Sequence, residues 1–181
     1  MPPEAAPCDK AIHKYGQERR DDEVSLNTRS HPVVLILTVM PGEVSLSLLL
    51  TGLKATLLPE TYVWATLSTT TTSLAPELLA SAKLLFAESE GLTVVIPKEI
   101  ATARNVPYTY PSRQITLDIH SSLEAVGFMA AISTRLAKEG FSCNPVSAYF
   151  HDHLFVKDDE AERVVDLLRA MVEEAQASAG T

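Results

Sequence analysis

The pattern that most constrains this chain lies in its second half. Arg113-Gln114-Ile115-Thr116-Leu117-Asp118-Ile119-His120 alternates polar and apolar residues, the period of a strand with one buried face. Leu123, Val126, Ala130 and Leu136 then recur at helical spacing up to Gly140, a C-terminal stop. Ser121 or Ser122 is a natural N-cap for that helix, and Glu124 falls in its first turn, where the helix dipole favours an anion. Residues 144–150 and 153–156 read as strands joined by a tight turn at His151-Asp152. Residues 159–174 predict a helix with Val164, Val165, Leu167, Leu168 and Met171 on one side. The order from 113 to 174 is therefore strand, helix, strand, strand, helix, most of a split β-α-β unit. Such a unit needs a fourth strand. The apolar run at residues 33–39, or another chain, is expected to supply it.

The first half reads less cleanly. Residues 33–39 form a short β-branched run stopped by Pro41-Gly42. Leu46, Leu48, Leu49, Leu50, Leu53 and Leu57 fit a short helix. Residues 62–67 predict a strand, residues 68–73 a polar loop, and residues 76–89 a helix ended by Gly91, with Pro76 in its first turn. Residues 92–96 read as a buried strand closed by Pro97, and residues 98–104 as a helical turn. Residues 107–112, with two prolines and two tyrosines, read as a joint between domains. The expected organisation is a flexible tail over 1–31, a first domain over 32–108, a second over 113–174 and a short tail over 175–181.

Composition removes several classes of function. The chain has 181 residues and a formal charge of −8, so it repels phosphate backbones, and no nucleic-acid partner is expected. No apolar run is long enough to span a membrane, and the polar residues 1–29 lack the apolar core of a secretory signal. Two cysteines, Cys8 and Cys143, are too few for a disulfide framework, so a reducing, cytoplasmic setting is expected.

At Ile119-His120-Ser121-Ser122-Leu123-Glu124-Ala125-Val126-Gly127 and Ser147-Ala148-Tyr149-Phe150-His151-Asp152-His153-Leu154-Phe155-Val156 the sequence resembles the ACT-like domains. Residues 62–67 and 88–97 look like the first member of a tandem. The likeness runs from about Gly42 to Met171. It is similar to small two-domain ACT proteins and, more distantly, to the amino-acid-sensing halves of aspartate kinases and to cytosolic arginine sensors. It implies an α+β fold of tandem ferredoxin-like, βαββα-type domains with antiparallel sheets. It also implies a non-catalytic, amino-acid-binding regulatory protein of amino-acid metabolism. No kinase catalytic segment precedes the ACT-like part, so regulation in cis is not expected. A homodimer is expected, with the regulated enzyme unidentified.

In that topology the end of the strand at 113–120 meets the turn near 151–152. The expected ligand-binding residues are His120, Ser121, Ser122, Leu123, Gly127, His151 and Asp152, with Gly91, Leu92 and Thr93 as the matching group of the first domain. A helix start suits a carboxylate. Asp152, which matches an acidic turn position in the arginine sensors, suits an ammonium or basic side chain. Gly127 allows close approach by a ligand or, equally, close helix packing.

Other chemistry is weaker. His120, His151 and His153 could be read as a zinc site, but turn residues explain them, and neither metal nor cofactor is expected. The serines lack a nucleophile elbow, and no catalytic residue is assigned. Glu88 and Glu90 read as a solvated helix end, and Cys143, with no cationic helper nearby in sequence, as inert. Two alternatives stand beside the binding module. One is a ligand-free dimerisation scaffold, the other a small isomerase or lyase using His120 and Asp152.

Overall fold

A computed structural model describes residues 41–68 and 76–180. The strand expected at 33–39, the tail at 1–31 and most of the loop at 68–73 lie outside the described residues. The elements are α1 (Leu46–Gly52), β1 (Ala55–Leu67), α2 (Pro76–Ser81), β2 (Leu84–Ala87), β3 (Leu92–Pro97), α3 (Lys98–Ala103), β4 (Thr109–Leu117), α4 (Phe128–Lys138), β5 (Cys143–Ser147), β6 (Asp152–Lys157) and α5 (Ala161–Ala179), the last entered through a 3-10 turn, Asp158–Glu160. The strands form one six-stranded sheet in the order β2-β3-β1-β4-β6-β5, with every neighbouring pair antiparallel.

This order contains two ferredoxin-like units that share their central pair. In the first, β1, β2, β3 and β4 lie as β2-β3-β1-β4. In the second, β4, β5 and β6 take the corresponding places, and β1 fills the fourth. The fourth strand is therefore internal. Ala55 and Leu57 of β1 pair with Leu117 and Ile115 of β4, so no row of β4 awaits residues 33–39 or a second chain.

β1 is long enough for both tasks because an irregularity interrupts it. Its register against β4 shifts between Leu57 and Thr61, and Pro59, which has no N–H to give a ladder, sits at that shift. Arg113 Nε donates to the Leu58 carbonyl at 2.8 Å, satisfying a group that the ladder abandons.

Alternation then divides the side chains between two faces. On one face, Val63, Val94 and Ile96 pack with Leu78 of α2 and Ala101 of α3. On that same face Ile115, Leu117, Leu154 and Val156 pack against Leu49 of α1, Ile132 and Leu136 of α4, and Val164 and Leu168 of α5. The opposite face carries Tyr62, Val95 and Phe155. There the Phe155 ring meets Tyr62 edge-on at 6.0 Å and Trp64 at 5.8 Å, a preferred aromatic geometry. Burial, and then the neighbouring Glu60 carboxylate, push the Tyr62 hydroxyl up to about 12.

Several elements depart from the sequence pattern. The helix expected over 76–89 stops at Ser81, and Leu84, Leu85 and Phe86 become β2. Their apolar run satisfies either period, and pairing with β3 decides it. Gly91 accordingly closes a hairpin rather than a helix. Residues 109–112, expected as part of a joint, are the first half of β4. Leu57 lies in β1, since α1 ends at Gly52. The turn before β6 falls at residues 148–151, which moves Asp152 into the strand.

The shared pair predicts that the two units unfold together. Leu136 is fully buried on α4 of the second unit, and Trp64, the chain's single tryptophan, lies on the shared strand β1 where it pairs with β3 of the first unit. Leu136→Ala should lower stability by about 2–5 kcal/mol. Urea unfolding followed by Trp64 fluorescence should register that whole loss. An unmoved fluorescence midpoint would mean the units melt separately.

Candidate functional site

β4 ends at Leu117, and α4 does not begin until Phe128. The helix expected from Leu123 is therefore replaced over its first turns by a loop. Ala125 N–H donates to the Ser122 carbonyl at 2.9 Å, and Glu124 N–H to Ser122 Oγ at 3.2 Å. Serine side chains that bond the backbone locally compete with helix in this way. Gly127, with φ of 96°, is the N-cap and offers no side chain to the first-turn N–H groups. The sequence placed the cap at Ser121 or Ser122. The structure places it five or six residues later, because Gly127 tolerates the left-handed backbone that redirects the chain.

A second segment clamps this loop. Glu43 bridges Ser121 in parallel. Glu43 N–H donates to the His120 carbonyl at 2.8 Å, and Ser122 N–H donates to the Glu43 carbonyl at 2.9 Å. Gly42 makes the approach possible, since a Cβ there would lie 2.5 Å from the Ser122 nitrogen. The Glu43 carboxylate accepts from the Val44 and Ser45 N–H groups at 2.8 and 2.7 Å.

The turn at 148–151 supplies the other wall. Phe150 stands between His120 and Tyr149, at ring separations of 5.5 and 5.1 Å. Together the segments enclose a cleft of about 240 Å³ lined by His120, Ser121, Ser122, Leu123, Glu124 and Tyr149, with Pro41 and Gly42 alongside. Two of its lining groups are large, apolar and exposed: Leu123 at 67 % and Tyr149 at 61 %.

Asp152 is not at an exposed turn. It is 6 % exposed and opposite Leu117 and Ser147 in the ladder. Ser121 Oγ donates to Asp152 Oδ2 at 2.8 Å, and Ser147 Oγ donates to Oδ1. The carboxylate thus ties the loop to the β5–β6 hairpin. His151 is half-buried in the turn. His153 Nδ1 lies on the opposite face, 3.0 Å from Gln114 Nε2 and 3.1 Å from Thr116 Oγ1. Burial first, and then the nearby His151, hold the His153 imidazole below its usual range. The three histidines do not converge, and among the described residues no cluster of three or more histidine, cysteine or acidic side chains is suited to a metal ion. Burial pushes the Cys143 thiol up, which keeps it protonated and unreactive.

Gly91, Leu92 and Thr93 lie elsewhere. Leu92 pairs with Leu67 at the far end of β1, while the loop leaves β4 beside Ala55, roughly 35–40 Å away along the strand. Gly91 has a packing reason, because a Cβ there would lie 2.7 Å from the Leu67 carbonyl oxygen. Sequence reasoning missed Tyr149, Phe150 and the Pro41–Glu43 clamp. Exposed aromatics beside a histidine turn are a usable signal, but the contact of residue 43 with 121 has none.

The fold is thus a single antiparallel sheet shared by two interlocked ferredoxin-like units, with a cleft on the loop that leaves β4. The comparisons agree. ACT domain models match residues 41–113 and again 109–170, and the chain belongs to the ACT domain family. This membership supports a regulatory, ligand-binding role. A crystal structure of a Vibrio cholerae protein of unknown function, described as a possible transport protein, is 35% identical. The match covers 71% of this chain and 96% of that one, with a TM-score of 0.62. A protein from Agrobacterium tumefaciens is 20% identical over 66% of this chain and 89% of its own, with a TM-score of 0.54. The regulatory subunit of aspartate kinase from Thermus flavus is a looser likeness, 6% identical over 65% of this chain and 95% of its own, with a TM-score of 0.47. Among curated proteins none matches significantly. No helix among the described residues is long and apolar enough to cross a membrane.

The Asp152 tie predicts a structural cost. Asp152→Ala leaves two serine hydroxyls without their acceptor and should destabilise the fold by about 1–3 kcal/mol. Ser147→Ala, which keeps the Ser121 bond, should cost less. Chemical denaturation of both variants measures the order, and equal stability of Asp152→Ala and wild type would refute the tie.

Proposed function

We propose that this chain is a non-catalytic regulatory module that binds a free amino acid in the cleft at His120–Glu124 and reports on, or regulates, amino-acid metabolism. The observation that carries the reading is the α4 start. Gly127 leaves the first-turn N–H groups without a side-chain cap, three residues after Glu124, where the lining of a cleft of about 240 Å³ leaves this loop. That volume lies just under the range of about 300–1,000 Å³ for drug-sized ligands and suits one amino acid. The N–H groups and Ser122 suit its carboxylate. His120, Ser121, Leu123, Gly127 and the His151 turn frame the ligand, and Asp152 acts through Ser121. Cytoplasmic location fits this role.

The isomerase or lyase reading needs Asp152 to work with His120. Both Asp152 oxygens accept from serines instead, and the His120 ring packs on Phe150. Thermal unfolding against each free amino acid tests the binding reading. One should stabilise the protein saturably, by about 2.7 kcal/mol at a hundredfold excess over Kd. Ser122→Ala should weaken binding by only about 0.5–1.5 kcal/mol, because the backbone donors remain. No response to any amino acid would favour the dimerisation scaffold.

A homodimer through β2 belongs to the same proposal. The edge strand β5 carries Pro145, which blunts it, whereas β2 is an uncharged edge with Leu85 and Phe86 46 % and 61 % exposed. A two-fold axis through such an edge pairs it with itself. Sedimentation should give twice the 19.7 kDa chain mass, and Phe86→Lys should give monomer. A monomeric wild type at tens of micromolar would refute it.

A further inference from the structure

We propose that the cleft selects a neutral amino acid with an apolar side chain, branched or aromatic, and that Glu124 receives its ammonium group. This rests on the reading that the cleft is an amino-acid site. It follows from an inventory of charge around the cleft.

Every free amino acid brings one ammonium and one carboxylate. A basic side chain adds a second cation, and an acidic one a second anion. Among the described residues that line the cleft there is one carboxylate, Glu124, and neither lysine nor arginine. The nearby acids are already engaged. Asp152 is 6 % exposed, with a serine hydroxyl on each oxygen. The Glu43 carboxylate accepts two N–H groups of its own segment. The ammonium therefore takes Glu124, whose side chain is at the surface and free to turn inward. A second cation would find no further carboxylate among the described lining residues, and desolvating it unpaired is costly. A second anion would meet no cationic side chain.

The rest of the ligand meets apolar groups. Leu123 and Tyr149 line the cleft and are 67 % and 61 % exposed, with Phe150, 42 % exposed, packed against Tyr149. Phe150 is held edge-on against Tyr149 and tilted on His120, so the wall is rigid before any ligand arrives. A branched or aromatic side chain would cover it.

Isothermal titration calorimetry of the full chain separates the possibilities. Leucine, isoleucine, valine, phenylalanine and tryptophan are compared with lysine, arginine, aspartate and glutamate. At least one of the first group should bind, and none of the second should bind as tightly. Glu124→Gln, a surface change, should weaken the tightest ligand at least about tenfold, the loss of one charge-assisted hydrogen bond. The N-acetylated form of that ligand has no ammonium, so it should bind wild type and Glu124→Gln alike. Tighter binding of arginine or lysine would overturn the inference while leaving an amino-acid module in place. Unchanged affinity in Glu124→Gln would remove Glu124 from the site. Silence with every amino acid would overturn the module reading, and the inference with it.

Discussion

Everything in this molecule hangs on the pairing of β1 with β4. Each ferredoxin-like unit needs a four-stranded sheet to cover its helices, and eight separate strands would be required if the units were independent. Here six suffice, because β1 and β4 each serve both units. The cost is a strand of 13 residues whose two ends lie under different helix layers. Pro59 and the register shift beside it relieve that demand, and Arg113 repairs the carbonyl the shift leaves exposed. The packing of α5 on β1 then follows, since the fourth strand of the second unit is the first strand of the whole sheet.

Much of this was legible in the residues. The alternation at 113–120 and the apolar side of the last helix carry clear periods and became β4, as far as Leu117, and α5; the run at 92–96 has no period but is short, β-branched and closed by Pro97, and became β3. The failures share one cause. Leu84-Leu85-Phe86 is apolar without a period, so only its neighbour decides between helix and strand. Residues 109–112 carry Pro111, which locally opposes a strand, and tertiary pairing with β1 overrides it. The source of the fourth strand was not readable at all, because a strand that works twice has the sequence of a strand that works once.

The candidate site shows the same division. His120, Ser121, Ser122 and Leu123 fall on the cleft because a strand end before a helix is a local feature. Asp152 fell one turn short of its expected place, and the consequence is chemical rather than geometric. At an exposed turn it could meet a ligand directly. Inside the ladder, with Ser121 and Ser147 on its oxygens, it instead fixes the loop that lines the cleft. Buried carboxylates are tolerated when hydrogen-bonded in this way, and such a group holds its loop more firmly than a surface ion pair would.

The two units are related by topology but differ in the helix that follows their first strand. The loop after β1 enters α2, a helix of six residues that opens with Pro76. The loop after β4 enters α4, of eleven residues, capped by a glycine with no side chain. A short helix sums few peptide dipoles, and proline at its start has no N–H to offer an anion. The longer helix sums more and has its first-turn N–H groups free of any side-chain cap. Gly91, the glycine of the first unit, is accounted for by the Leu67 carbonyl against which it packs, whereas a Cβ on Gly127 would approach no closer than 3.5 Å to the Leu46 side chain. The second unit therefore carries the longer helix, with no side-chain cap at its start. The Gly42–Glu43 clamp holds the loop after β4 at His120 and Ser122 through two backbone hydrogen bonds, at the end of the sheet opposite Gly91.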